Sequence, residues 1–244
     1  MEESRNQAEM GIGGKEEYVR RIFSSIAEHY DLLNSLLSFG LHHSWKKFAV
    51  EKASLEPGGS ALDICSGTGD LAVLLARKVG PSGKVVALDL SEEMLALGEN
   101  KARLLKVDRI VSYVNGRAED LKFSSGSFDA ATAGFGMRNV TSITRTFQEM
   151  HRVLREGGRA VCLEFSHPTN KAWKALYDLY SFEVIPRVGR LVSKDVSAYS
   201  YLPSSIRQFP GQESLKSIMQ ESGFEDVHYY NLAGGIVAVH VGVK

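Results

Sequence analysis

Asp63-Ile-Cys-Ser-Gly-Thr-Gly-Asp70 brings two carboxylates and two closely spaced glycines into eight residues. A short apolar run precedes it and an amphipathic run follows, so it reads as the turn from a first strand into a helix. Glycines at 67 and 69 let the backbone bend tightly and approach a ligand with no side chain in the way. The helix start then turns unsatisfied N–H groups toward that ligand. Gly67-Thr-Gly-Asp-Leu-Ala72 fits G-x-G-x-x-G/A, the dinucleotide fingerprint. Asp89 closes the next apolar run about twenty residues on, where a carboxylate meets a ribose diol. These features fit NAD and S-adenosylmethionine equally, and charge separates the two. A pyrophosphate at the helix start would face Asp70, with Asp63 at the strand end as a second like charge. The methyl donor has no phosphate and carries an ammonium and a sulfonium. Each partly buried carboxylate would stabilise it by roughly 1–3 kcal/mol. The residues therefore favour methyl transfer over hydride transfer.

Strand-end logic supplies further donor contacts. Thr68, between the glycines, is placed to reach the amino-acid portion of the donor. Met94 stands in the next helix's first turn, against an adenine face. Backbone groups at Arg117 and Ala118 would edge the adenine, with Glu119 or Asp120 near its amino group. Gly134, just past the fourth strand, is expected where backbone approaches the methionine carbons. A metal site is not expected. The seven histidines show no ligand spacing, and His42 and His43 would point different ways on a helix. Cys65 and Cys162, the two cysteines, sit in apolar runs and read as buried thiols in a reducing cytoplasm.

The elements that must position these groups alternate. Strands are expected at 61–65, 84–89, 110–115, 127–133 and 159–165, with helices at 70–79, 91–106 and 142–154 between them. Arg155-Glu-Gly-Gly158 reads as the break before the fifth strand. Repeated β-α-β at this spacing means a parallel, doubly wound sheet. The tail differs: a helix over 212–221, then strands 227–232 and 236–243 around Ala233-Gly-Gly235, a β-hairpin. An antiparallel hairpin finishing a parallel sheet is the methyltransferase variant of this α/β class. The expected fold is thus a seven-stranded, mostly parallel sheet of the class I S-adenosylmethionine methyltransferase type, with a C-terminal hairpin and an N-terminal helical cap.

One domain accounts for all 244 residues. Residues 1–17 read as a flexible N-terminus and 18–57 as the cap, with helices from Val19 and over 42–53; Asp31-Leu-Leu-Asn34 reads as loop or short turns. Residues 58–165 form the cofactor-binding half, and 166–211 a lid or substrate insertion. Residues 212–244 carry the last helix and hairpin. Basic and acidic side chains balance at 29 each, which gives no electrostatic reason for a nucleic-acid partner. No apolar run reaches eighteen residues, and nothing resembles a secretion or transit signal, so a cytoplasmic location is expected. The lid is longer than a crossover needs. Trp173, Leu176, Tyr177 and Tyr180 recur at helical spacing, followed by Phe182, Tyr199, Tyr201 and Phe209. Such a roof suits a large, flat, apolar acceptor.

Val19-Arg-Arg-Ile-Phe23 with Ala27-Glu-His-Tyr-Asp-Leu-Leu-Asn34 resembles the N-terminal signature of the quinone-biosynthesis C-methyltransferases, the bacterial ubiquinone/menaquinone enzymes and their mitochondrial coenzyme Q relatives. Phe135-Gly-Met-Arg-Asn-Val140 resembles their second signature, and 180–189 and 229–232 are similar too. Cys65-Ser66 and Gly134 depart modestly from the family pattern. The resemblance implies methyl transfer from S-adenosylmethionine to a ring carbon of a polyprenylated quinol: demethylmenaquinol, the ubiquinone-pathway benzoquinol, or both. It implies Arg138 as the principal catalytic group, lowering the quinol's pKa and polarising a proton-accepting water. Asn139 would orient that water and Tyr30 contact the quinol oxygen, with His29 and Asp31 as weaker candidates for the base. The prenyl tail implies transient contact with the inner membrane face, and a homodimer is compatible with the sequence. Two alternatives stay open: a methyltransferase for another phenolic or lipid acceptor, and a non-catalytic cofactor-binding subunit.

Overall fold

In the computed structural model, residues 12–27, 30–170 and 197–244 are described. Strand alternation builds the sheet. Along β1 (Ser60–Ile64), Ala61 joins one apolar cluster while Leu62 and Ile64 join another, because successive side chains leave opposite faces. The other strands are β2 (Lys84–Asp89), β3 (Val111–Asn115), β4 (Phe128–Gly134), β5 (Leu154–Phe165), β6 (Glu225–Leu232) and β7 (Val237–Val243). They lie in the order β3-β2-β1-β4-β5-β7-β6. Pairs among β1–β5 are parallel, whereas β7 runs antiparallel to both β5 and β6. The order reverses between β1 and β4, the switch point where such sheets open a crevice at their carboxyl ends.

Helices cover both faces. Along the chain they are α1 (Ile12–Ile26), α2 (Tyr30–Leu37), α3 (Leu41–Lys52), α4 (Asp70–Val79), α5 (Glu92–Leu104), α6 (Ile143–Val153), α7 (Ser197–Gln208) and α8 (Gln212–Glu221). Trp45 and Ala49 of α3, Leu75 and Val79 of α4, and Ala102 of α5 pack one face. Phe147 and Met150 of α6, with Leu215 and Met219 of α8, pack the other. Ser91 and Ser142 cap α5 and α6, accepting the backbone N–H of Met94 and Arg145.

Several expectations change. The cap starts within the stretch read as frayed: α1 is already helical at Ile12. Asp31–Asn34 is not a loop but part of α2. Arg155–Gly158 does not separate a helix from a strand. β5 begins at Leu154, directly after α6, and these residues form an irregularity in its pairing with β4, where the register jumps from Phe128↔Leu154 to Ala130↔Arg159. Gly134 is the last residue of β4 rather than one past it. His42 and His43 do not diverge; their rings lie 3.9 Å apart. His42 is buried against the Ser38 hydroxyl at 2.7 Å, and burial, with Lys46 nearby, brings its pKa down to about 4. Of the lid, residues 171–196 and so Trp173 to Phe182 lie outside the described residues, as do the Tyr199 side chain and His29. Tyr201 is buried in a cap cluster with Val19, Ile22 and Leu33, so α7 packs on the N-terminal helices.

Candidate active site

β1 ends at Ile64, and the chain turns at once. Cys65 (φ 52°), Gly67 (φ 54°) and Gly69 (φ 77°) all take left-handed conformations before α4 starts at Asp70. At Gly69 the turn also needs the missing side chain. A Cβ there would stand 2.9 Å from the Tyr113 hydroxyl, which donates to Gly98 O at 2.8 Å. The loop is held from β2: the Gly67 N–H donates to Asp89 Oδ2 at 2.8 Å, and Oδ1 accepts the Ser91 N–H at 2.9 Å. Cys65, expected as a buried thiol, is half-buried and packs against the cluster that holds Leu62 and Ile64. It faces the cleft beyond the strand end, and a Cβ on Gly136 would lie 2.3 Å from its own Cβ. The loops after β1 and β4 therefore touch through a side chain on one and bare backbone on the other.

These loops floor an open cleft at the carboxyl ends of the strands, where sheets of this kind take their ligands. Gly67, Asp89, Met94, Ala118, Asn139 and Tyr30, all expected site residues, line its wall. α1 roofs it with Val19 and Phe23, and is fastened at three points. Glu16 pairs with Arg117, Lys15 donates to Val140 O, and Ser24 donates to Glu93 at 2.9 Å. Of the two acids after β3, the structure selects Glu119. It lines the cleft and accepts both the N–H and the hydroxyl of Thr141, bonds that outweigh burial and keep its pKa low. Asp120 is exposed and bonded to Lys122.

Other expected residues stand behind the wall. Thr68 is not free to meet a ligand through its hydroxyl, which donates to Asp31 at 2.7 Å and accepts from Lys101 at 3.0 Å. Asp70 is not an open carboxylate, since Lys46 and Lys101 bond its two oxygens at 2.7 and 2.6 Å. Burial raises its pKa, yet the two ammonium groups win and hold it far below the usual range. The charge argument therefore loses Asp70 and is left with Asp63. The Arg117 side chain is turned to Glu16, leaving only its backbone for a ligand. Gly134 packs toward the core, where a Cβ would meet Leu71 at 2.3 Å. Arg138 is buried beneath its loop; Nη1 donates to Glu164 at 2.8 Å, and the backbone N–H donates to the same carboxylate at 3.2 Å. That pairing raises its pKa despite burial. Asn139 accepts a hydrogen bond from the Tyr201 hydroxyl at 2.9 Å. Tyr30 is held neutral by burial, with the Arg138 charge pulling the other way. Sequence reasoning missed Lys46, Lys101 and Glu164. Glu164, a lone charge in an apolar strand, was the one signal; Lys46 and Lys101 sit among other polar and charged residues and nothing in the spacing marks them.

Asp63, expected at the donor's cationic end, is not among the residues that line the cleft. It is buried, Oδ1 accepts from Thr132 at 2.7 Å, and Oδ2 has no hydrogen-bond partner among the described residues. Burial pushes its carboxyl from 3.8 up to about 7, against the Thr132 bond. Alone, this raised value contributes stability that is full below the unfolded pKa and is lost as pH rises through about 7. A neighbouring ammonium favours the charged form, so donor binding is expected to release a proton around neutral pH and to tighten as pH rises through that range. Titration calorimetry of adenosylhomocysteine in buffers of different ionisation enthalpy measures it. Asp63→Asn is expected to abolish the proton release; proton release unchanged in that variant would place the effect elsewhere.

Among the described residues no helix is long and apolar enough to cross a membrane, and no three His, Cys, Asp or Glu side chains gather as a metal site would require. The ubiE/COQ5 methyltransferase family model matches residues 12–244. A Cronobacter sakazakii protein named ubiquinone/menaquinone biosynthesis C-methyltransferase UbiE is 46% identical over 230 residues, 94% of this chain and 92% of its own. A Legionella pneumophila protein of the same name is 44% identical over the same shares. A solved S-adenosylmethionine-dependent methyltransferase from Aquifex aeolicus shares the fold, with a TM-score of 0.59, 15% identity and coverage of 81% of this chain and 88% of that one. Expected signatures, the switch-point cleft and near-complete coverage agree: the chain belongs to the ubiE/COQ5 methyltransferase family.

Proposed function

We propose that this protein methylates a ring carbon of a polyprenylated quinol in respiratory quinone biosynthesis. The observation that carries the reading is the match, over nearly the whole chain, to relatives named as C-methyltransferases of that pathway. S-adenosylmethionine, when bound, supplies an electrophilic methyl group on a sulfonium. Asp89 is suited to hold its ribose hydroxyls, Glu119 and the backbone at Arg117 and Ala118 its adenine amino edge, and Met94 the adenine face. Asp63, buried near the end of β1 with one carboxylate oxygen unpaired among the described residues, is the group assigned to its ammonium. Tyr30 and Asn139 stand on the same wall and would orient the acceptor's hydroxyl and a water. A water would take that hydroxyl's proton and make the ring carbon nucleophilic; as the carbon bonds the methyl group the sulfonium would leave as a neutral thioether, and the carbon's own proton would pass through water back to the phenolic oxygen, restoring the aromatic ring. Arg138, always charged, takes no proton; with Glu164 it fixes the electrostatics behind Tyr30 and Asn139.

Whether the acceptor is a naphthoquinol or a benzoquinol is decided by a labelled-methyl assay with each demethylated quinol. A quinone profile of a strain lacking the gene checks it in vivo, and unchanged quinones would overturn the reading. The prenyl tail brings the protein to a lipid surface. Leu32, Leu36, Phe39 and Leu41 expose large apolar side chains on the cap, which supports that contact. Phe39→Ser with Leu36→Ser is expected to lower co-sedimentation with liposomes several-fold while donor affinity holds. Equal sedimentation of both proteins would remove this surface from the proposal.

A further inference from the structure

We infer that Lys101 is a positioning residue that fastens the cap onto the glycine-rich loop and so sets Tyr30 over the cleft, an inference that rests on the methyltransferase reading for its consequence in catalysis. The Lys101 Nζ reaches three oxygens: Asp31 Oδ2 at 2.6 Å, Asp70 Oδ1 at 2.6 Å and the Thr68 hydroxyl at 3.0 Å. An ammonium has three N–H donors, and all three are used. Thr68 in turn donates to Asp31 Oδ1, and Lys46 closes the other side of Asp70. Two lysines and two aspartates thereby join α2, α3, the glycine-rich loop, α4 and α5.

Isolated exposed ion pairs contribute little, but this is a shared, charge-balanced network. The Lys46, Lys101 and Asp70 side chains are only 9%, 21% and 24% exposed, and Asp31, on the cap side, is 47% exposed. The element this network holds buries one side chain. Leu33 is the one buried residue of α2, while Leu32 and Leu36 face outward. Asp31 directly follows Tyr30 in the first turn of α2, and the Tyr30 ring lies over the loop, its Cε1 4.0 Å from where a Cβ on Gly67 would stand. Holding Asp31 against Thr68 and Lys101 therefore fixes the Tyr30 ring relative to the backbone that meets the donor.

Lys101→Met keeps the length of the side chain and leaves Asp70 paired with Lys46. In hydrogen exchange on the donor-free chain, amides of α2 are expected to exchange about tenfold faster, while those of α4 and α5 keep their protection. In turnover the KM for the quinol is expected to rise about tenfold, with donor Kd little changed, and Lys101→Arg is expected to recover most of both effects. Raising salt to about 1 M should loosen α2 in the native protein and leave the Met variant unaffected. Native protection of α2 together with a native KM in Lys101→Met would overturn the inference. If that variant does not fold, Asp31→Asn, which leaves Lys101 on Asp70, is read by the same exchange experiment. The exchange result tests the clasp even if no quinol proves to be a substrate, so the two failures are told apart.

Discussion

Arg138→Ala is expected to lose roughly a hundredfold in turnover while its affinity for adenosylhomocysteine stays within about threefold of the native value, because the charge that stands behind Tyr30 is lost and the loop that carries Asn139 loses its side-chain bond to Glu164. The structure adds a second consequence. Arg138 is the partner of Glu164, and both side chains are almost wholly buried, 5% and 1% exposed. Truncating the arginine strands a carboxylate that also accepts the backbone N–H groups of residues 138 and 165, at a cost of about 3–5 kcal/mol of folding stability. The alanine variant alone thus mixes two effects. Arg138→Met combined with Glu164→Gln removes both charges together and is expected to regain most of the lost melting temperature without regaining turnover. Recovery of activity in the double variant would show that the pair serves only the fold. Collapse of donor affinity in either would move Arg138 out of the role proposed for it.

That pair marks where sequence reading stops. The glycine loop, the strands and the hairpin were legible because their signals are local: a two-residue alternation, a serine cap, a glycine where the chain must turn left. So was the wall of the cleft, where Gly67, Asp89, Met94 and Ala118 follow directly from strand-end positions. Arg138 and Glu164 are 26 residues apart, and Thr68 meets Asp31 across 37. No spacing rule reports such partners, so Asp70 looked like a free charge and Thr68 like a free hydroxyl. α2 was misread for a related reason. Asp31 and Asn34 are turn-favouring residues, and the lysine that meets Asp31 lies 70 residues on, where no local pattern reports it. The irregularity in β5 misled differently. Gly157 and Gly158 do break the regular pairing, but β4 pairs with Leu154 before them and with Arg159 after them, and β7 pairs from Arg159 onward, so the strand resumes.

Asp89→Ala is expected to show the opposite pattern to Arg138: donor affinity lower by about a hundredfold, with turnover at saturating donor within a few-fold of native. The carboxylate faces the cleft while its two oxygens accept the N–H groups of Gly67 and Ser91. It therefore does two things at once, tying the glycine loop to β2 and offering its remaining lone pairs to a diol. Charged hydrogen bonds contribute about 1.5–3 kcal/mol each, so losing two from the ribose accounts for a factor of a hundred or more. Asp89→Asn separates the two duties, because an amide keeps one acceptor and turns an NH₂ against the other backbone donor. It is expected to fall between native and alanine in affinity. Burial raises the Asp89 pKa, and the bonds from Ser91, Gly67 and Leu90 only partly offset it. Donor affinity should accordingly weaken as pH falls through that raised value, and the weakening should vanish in the asparagine variant. Calorimetric titration across acid pH, run on both proteins, measures each point. Native affinity in Asp89→Ala would mean that the ribose is not recognised at the end of β2. The geometry argued for the adenine and the methyl group, which is built outward from that point, would then have to be abandoned with it.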